Sequence, residues 1–291
     1  MFEGIHTAII TPFRDGAIDE SALRSLVERQ IEAGIDGLVP CGSTGESATL
    51  SHDEHHRVIE ITIDAAAGRV PVIAGTGSNS TAEAISLTQH AKEAGAAGAL
   101  LLSPYYNKPT QDGIYEHYAA VAVETGLPLV IYNIPGRTAS NITPATIGRL
   151  AQIENIVGVK ESSGDIDQIA HVVAVCPDDF AVLSGDDALT LPLMAVGGHG
   201  AISTTSNVAP GQVAEMVRTM ASGDVICARK LHHELLPLFD VLFCETNPIP
   251  IKAACAALGW CDGEIRLPML PITTPNLERL KVVLKDLGIL Q

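Results

Sequence analysis

Short apolar runs rich in Val, Ile and Leu alternate with longer stretches of helical periodicity through most of this 291-residue chain. No other feature constrains its fold as strongly. The runs that read as strands are Ile5–Thr11, Gly37–Pro40, Val70–Gly75, Ala99–Ser103, Pro128–Asn133, Ile156–Glu161, Phe180–Ser184 and Gly200–Ser203. Helix-like segments lie between them at Ser21–Ala33, Asp53–Ala67, Thr81–Ala94, Gly113–Val123, Thr143–Leu150, Asp167–Val175 and Ala188–Val196. Several of these begin on a Ser, Thr or Asp cap and two close with glycine. Strands alternating with helices predict a parallel sheet. An internal echo supports the repeat: Glu32-Ala-Gly-Ile-Asp-Gly-Leu38 and Glu93-Ala-Gly-Ala-Ala-Gly-Ala99 each mark a helix end, a glycine stop and the next strand. Eight such units close into an α/β fold of the (β/α)₈ TIM-barrel type, with an open doubly wound sheet as the alternative. Helical patterns continue at Gly211–Met220, Asp224–Phe239, Pro248–Leu258 and Pro275–Leu287 with no strand between them. The expected division is a barrel over residues 1–223 and a C-terminal helical extension over 224–291.

Composition removes several function classes. The 18 Lys and Arg residues against 34 Asp and Glu give a formal charge of −16, which disfavours nucleic-acid partners and polybasic attachment to a membrane. At 46% hydrophobic and 18% charged residues, the chain can bury a large core. Its longest apolar stretches, such as Ala94–Leu102, fall short of the roughly 18 residues a membrane span needs. The N-terminus reaches Glu3 without a basic and then apolar leader, so the cytoplasm is the expected location. The six cysteines, at 41, 176, 227, 244, 255 and 261, form no CxxC pair and no metal-like grouping with histidine, so no metal is expected. Gly75-Thr-Gly-Ser-Asn-Ser80 lacks the third glycine of a dinucleotide fingerprint, and Gly42-Ser-Thr-Gly45 lacks the lysine of a phosphate loop. No cofactor is expected.

In barrels the active site lies at the C-terminal ends of the strands, so the polar residues that close each apolar run carry the chemistry. Lys160 is the informative one. It ends Ile156-Val-Gly-Val159, and it is one of only seven lysines in the chain. Desolvation disfavours the charged form of an amine, and a neutral amine can form a Schiff base with a ketone. A structural ion pair with a barrel carboxylate is the other reading. Lys108 stands in a polar loop before Pro109 and reads as solvated. Gly42-Ser-Thr-Gly45 offers backbone amides and two hydroxyls, Ser43 and Thr44, as a cradle for a small carboxylate. Tyr132 closes another apolar strand. It can carry protons in a pocket or be a hydrogen-bonded core tyrosine. Arg137, after a Pro-Gly turn, can clamp a carboxylate bidentately or simply be solvated.

Together these segments resemble the dihydrodipicolinate synthase family of lysine-dependent pyruvate aldolases along nearly the whole chain. The resemblance rests on Gly42-Ser-Thr-Gly-Glu-Ser-Ala-Thr-Leu50, Pro71-Val-Ile-Ala-Gly-Thr-Gly77, Pro104-Tyr-Tyr-Asn-Lys-Pro109, Tyr132-Asn-Ile-Pro-Gly-Arg-Thr138, Gly158-Val-Lys-Glu161, Ser184-Gly-Asp-Asp187, Gly197-Gly-His-Gly200 and Asn247-Pro-Ile-Pro250. It implies condensation of pyruvate with L-aspartate 4-semialdehyde. Lys160 would form the imine, and Tyr132 would give and take protons. Ser43 and Tyr106 would complete a hydroxyl relay, with Tyr106 reaching in from a neighbouring subunit of a homotetramer built from tight dimers. Ser43 and Thr44 would also hold the pyruvate carboxylate, Gly185 and Ile202 would line the pocket, and Arg137 would bind the semialdehyde carboxylate. The family usually has threonine where this chain has Ser43; the hydroxyl survives, with a looser rotamer.

The related sialic-acid lyases and sugar-acid aldolases, which run a retro-aldol reaction, look similar at the lysine and tyrosine but generally lack the Gly-Arg-Thr turn. A non-catalytic sensor on the same barrel is a third reading, opposed by the lysine, tyrosine and arginine retained at strand ends. Ser47, Ala48, His52, His55, Asn79, Glu83 and Tyr105 match the positions where feedback-sensitive members bind L-lysine. There Glu83 would pair with the ammonium of the effector. Solvated surface histidines are the plain alternative for His52 and His55.

Overall fold

The computed structural model describes residues 2–291. Each expected run overlaps one strand: β1 (Gly4–Ala8), β2 (Gly37–Val39), β3 (Ile73–Gly75), β4 (Gly98–Leu102), β5 (Leu129–Asn133), β6 (Ile156–Glu161), β7 (Ala181–Ser184) and β8 (Gly200–Ser203). They hydrogen-bond in the order β2-β1-β8-β7-β6-β5-β4-β3. A parallel bridge between Leu38 and Val72 joins the two ends of that order. The sheet therefore closes into a barrel, and the open-sheet alternative falls. β1 ends before the expected Thr11 because the Ile10 amide donates to Asn207 Oδ1 at 3.1 Å instead of to a strand. β3 starts only at Ile73, beyond Pro71, which has no N–H to give a ladder.

The helices form where capping chemistry places them. Asp19, Ser51, Ser80, Thr110, Thr143 and Asp165 each accept a first-turn amide with their side chains. At Ser51 the bond is reciprocal, a capping box closed by Glu54, which satisfies two otherwise orphaned donors. The repeated Ala-Gly stops do what their sequence suggests: Gly34 and Gly95 take φ of 80° and 95° just after the helices Glu20–Glu32 and Thr81–Ala94. The helix expected over Ala188–Val196 is instead a 3₁₀ turn, Asp187–Leu189, followed by Thr190–Ala195. Asp186 accepts from the Ala188 amide at 3.1 Å and fixes that tighter entry. Two short elements lie outside the alternation: a helical turn at Pro135–Thr138 and a hairpin of Phe13–Arg14 with Ala17–Ile18. The hairpin turns on Asp15-Gly16, both at positive φ, the pairing a type I′ turn requires.

Ala8, Val39, Ile73, Leu100, Val130, Leu183 and Ile202 fill the barrel interior, each large aliphatic contributing about 1.5–3 kcal/mol on burial. Beyond the helix Pro210–Ala221 come Val225–Val241, Ile249–Ala257 and Thr274–Asp286. Leu238, Ile251 and Leu280 of these helices share one apolar cluster with Leu26, Ile59 and Val217. The C-terminal helices are thereby packed against the side of the barrel that carries β1 and β2. Among the described residues, no helix is long and apolar enough to cross a membrane.

Candidate active site

The pleat of β6 sends its last two residues to opposite sides. Glu161 is bonded by Asn133 Nδ2 at 2.9 Å and by the Ser163 amide at 2.8 Å, and burial pushes its carboxyl up from the ordinary value. Lys160 points into the barrel and is 5% exposed. Its register partner on β5 is Tyr132, and Lys160 Nζ lies 4.4 Å from the centre of the Tyr132 ring. Gly185 follows β7 for a steric reason: a Cβ there would stand 2.6 Å from Lys160 Cε and 2.9 Å from Cγ. Among the described residues, the buried lysine in an ion pair is Lys252, bonded to Glu46. The ion-pair reading of Lys160 thus finds no partner, since Glu161 is held by other groups.

The Gly42–Ser47 turn lies beside this lysine. It is folded by bonds from the Gly45 and Ser47 amides to the Gly42 carbonyl, at 3.0 and 3.3 Å, and from the Glu46 amide to the Ser43 carbonyl at 3.2 Å. Cys41 and Glu46, which bracket it, both take left-handed backbone, with φ of 56° and 55°. Such conformations in non-glycine residues persist where the surroundings over-determine them. Among the described residues, the Ser43 and Thr44 amides have no protein acceptor, which leaves two donors for an anion. Thr44 is held by Asn247 Nδ2 at 3.0 Å and by Thr204 Oγ1 at 3.3 Å. Arg137 rides on the Pro135–Thr138 turn and donates from Nη2 to the Asn247 carbonyl at 2.8 Å. Ser43, Thr44, Tyr132, Arg137, Lys160 and Gly185 line one cavity.

Two further expected site residues have different settings. Tyr106 is 89% exposed at a φ of 72° and does not line the cavity of its own chain. Ile202 is packed in the interior cluster with Ala8, Val39, Leu100 and Tyr132, four residues that themselves line the cavity.

A second, wider cavity of about 520 Å³ adjoins the first across Ser43, Tyr132 and Arg137. Ser47, Ala48, His52, His55, Glu83 and Tyr105 line it. Asn79 does not, but its side-chain amide ties the Tyr105 carbonyl at 3.1 Å. Glu83 accepts from Ser78 and pairs with His52 Nε2 at 3.0 Å, and the Ser78 bond holds its carboxyl below the usual range. His55 is bonded to the Gly75 carbonyl at 2.8 Å, with burial pulling its pKa down to about 4.

Asn247, Thr204 and Phe243 complete the inner cavity without having been singled out in the sequence. Asn247 belongs to one of the motifs of the resemblance, but it lies after the last strand, where no strand-end rule points.

The sequence profile of the Dihydrodipicolinate synthetase family matches residues 1–287. A 4-hydroxy-tetrahydrodipicolinate synthase of Syntrophus aciditrophicus (strain SB) is 56% identical over 290 residues, covering 100% of both chains. The crystal structure of dihydrodipicolinate synthase from Aquifex aeolicus superposes with a TM-score of 0.98 at 50% identity, covering 99% of each chain. That of the Cyanidioschyzon merolae enzyme, with lysine bound, superposes with a TM-score of 0.97 at 41% identity and the same coverage.

Proposed function

The chain belongs to the dihydrodipicolinate synthetase family, and from that membership we propose how its site works. Its activity is that of a 4-hydroxy-tetrahydrodipicolinate synthase, the Schiff-base condensation of pyruvate with L-aspartate 4-semialdehyde that opens the diaminopimelate route to L-lysine. Lys160 Nζ adds to the keto carbon of pyruvate, water leaves, and an imine remains. Loss of a methyl proton gives the enamine, whose carbon attacks the aldehyde of the second substrate, and the aldehyde oxygen takes a proton to become the hydroxyl. The amino group of the semialdehyde then adds to the imine carbon, and Lys160 leaves as the ring closes. Tyr132, beside the amine, moves these protons. The free Ser43 and Thr44 amides and their hydroxyls bind the pyruvate carboxylate, and Arg137 binds that of the semialdehyde.

One observation carries the assignment: a buried lysine without a carboxylate partner, in register with Tyr132 and lying over a glycine. Borohydride reduction in the presence of pyruvate, followed by peptide mass mapping, tests it. The reduced pyruvyl group is expected on Lys160, and labelling of any other lysine overturns the assignment.

The wider cavity takes L-lysine as an effector, with Glu83 exchanging its His52 contact for the ligand's ammonium. The lysine-bound relative supports this reading. The assembly is a homotetramer of tight dimers working in the cytoplasm, in which the outward Tyr106 completes the relay of a neighbouring subunit. Sedimentation showing full activity in a monomer would contradict that sharing.

A further inference from the structure

The turn that carries Ser43 and Thr44 is gripped from outside the barrel. Glu46, one residue past Gly45, is buried, and its Oε1 accepts from Lys252 Nζ in the helix Ile249–Ala257. Its Oε2 accepts from the Arg266 amide at 3.2 Å. The Phe13 ring is sandwiched between the two cations, 4.0 Å from Lys252 Nζ and 4.1 Å from Arg266 Cζ. Both carboxylate oxygens of Glu46 are therefore fixed by groups from the C-terminal segment, and they hold a residue whose backbone is left-handed. A buried pair of this kind is a poor source of net stability, because desolvating two charges offsets their attraction. It does define a geometry, since either charge left alone in that setting is strongly disfavoured.

We propose that the buried Glu46–Lys252 pair is a positioning device for the keto-acid carboxylate. By pinning the end of the Gly42–Ser47 turn, it aims the free Ser43 and Thr44 amides at the anion beside Lys160. Glu46 and Lys252 do not touch the substrate in this account; they act through the turn. The inference rests on the assignment of pyruvate to that cradle, and it gives the helices beyond residue 224 a part in catalysis.

Glu46→Gln is nearly isosteric and leaves the Arg266 amide its acceptor. The pyruvate concentration giving half-maximal borohydride trapping is expected to rise about tenfold, since small misplacement of binding groups is costly. The KM for the semialdehyde, whose carboxylate is held by Arg137, stays at the wild-type value. Glu54→Gln serves as the control: Glu54 binds the Arg266 guanidinium in the same network but does not touch the turn. It should lower the melting temperature and leave the pyruvate dependence alone. If Glu46→Gln does not fold, the double variant Glu46→Gln/Lys252→Met, which buries no lone charge, and Lys252→Arg carry the same comparison. A folded variant with wild-type pyruvate dependence, or one in which both substrates weaken equally, overturns the proposal. Absence of trapping in the wild type would instead overturn the assignment of pyruvate to the site.

Discussion

Gly185→Ala is the substitution with the most sharply defined consequence. Gly185 is not among the residues at positive φ, so its backbone accepts alanine, and the effect comes from the added methyl group alone. That group would stand 2.6 Å from Lys160 Cε and 2.9 Å from Cγ, where carbon atoms prefer about 3.5–4.0 Å. Ser162 Oγ would also be too close, but it makes no hydrogen bond and can rotate away. The lysine stem cannot move as freely, since it runs between Gly185 and the Tyr132 ring. Its nitrogen must shift by roughly 1 Å, and a displacement of that size costs about a hundredfold in rate. Overpacking of this kind also costs about 1–3 kcal/mol of stability. The assay is the rate of pyruvate-dependent borohydride inactivation beside kcat, with a melting curve to show that the variant is folded. A folded Gly185→Ala enzyme trapping pyruvate at the wild-type rate would refute the argument that this glycine sets the path of the lysine.

Arg137→Ala should raise the KM for the semialdehyde about ten- to a hundredfold, the equivalent of about 1.5–3 kcal/mol of charged hydrogen bonding, with pyruvate trapping intact; steady-state kinetics with each substrate varied checks this. Ser43→Thr should retain activity, because the hydroxyl is preserved and only its rotamer is restricted; loss of most activity in the coupled assay would contradict the assigned relay. L-lysine at millimolar concentration should raise the melting temperature of the wild type and leave Glu83→Gln unmoved, as read by thermal shift. Burial lowers the pKa of His6 to about 4 from 6.5. Below pH 6.5 the unfolded chain therefore binds a proton that the native state refuses. Stability present above that pH is lost as pH falls towards 4, by up to about 3 kcal/mol. Denaturant titrations between pH 7.5 and 4.5 should show the loss, with a shallower slope in His6→Gln.

Much of this architecture was legible because the barrel writes its period into the chain. Eight apolar runs, glycine stops such as Gly34 and Gly95, and the polar start at Thr143 are local signals, and each produced the element it predicts; the caps Ser51 and Thr110 stand two and three residues before the starts expected at Asp53 and Gly113. The depth of Lys160 followed from its place at the end of a run, as did that of Tyr132. What the sequence concealed depends on side chains meeting across long separations. Asn247 reaches both Thr44 and Arg137, and Lys252 reaches Glu46, yet neither lies at a strand end or repeats with any period. Nothing local sets Lys252 apart from the chain's other lysines, and only the folded chain shows it buried against a carboxylate. The hairpin at Asp15-Gly16 escaped for a different reason: strands of two residues are too short for alternation to register. Strand ends such as that of β1 are likewise set by a distant partner, Asn207, rather than by local composition.

The mechanism turns on the atom that bonds to pyruvate. A crystal structure of the enzyme soaked with pyruvate measures it directly. The expected result is continuous density from Lys160 Nζ to the keto carbon, with the carboxylate on the Ser43 and Thr44 amides and the Tyr132 hydroxyl turned towards the new bond. Pyruvate lying unattached in that cavity, or joined to another residue, would contradict it.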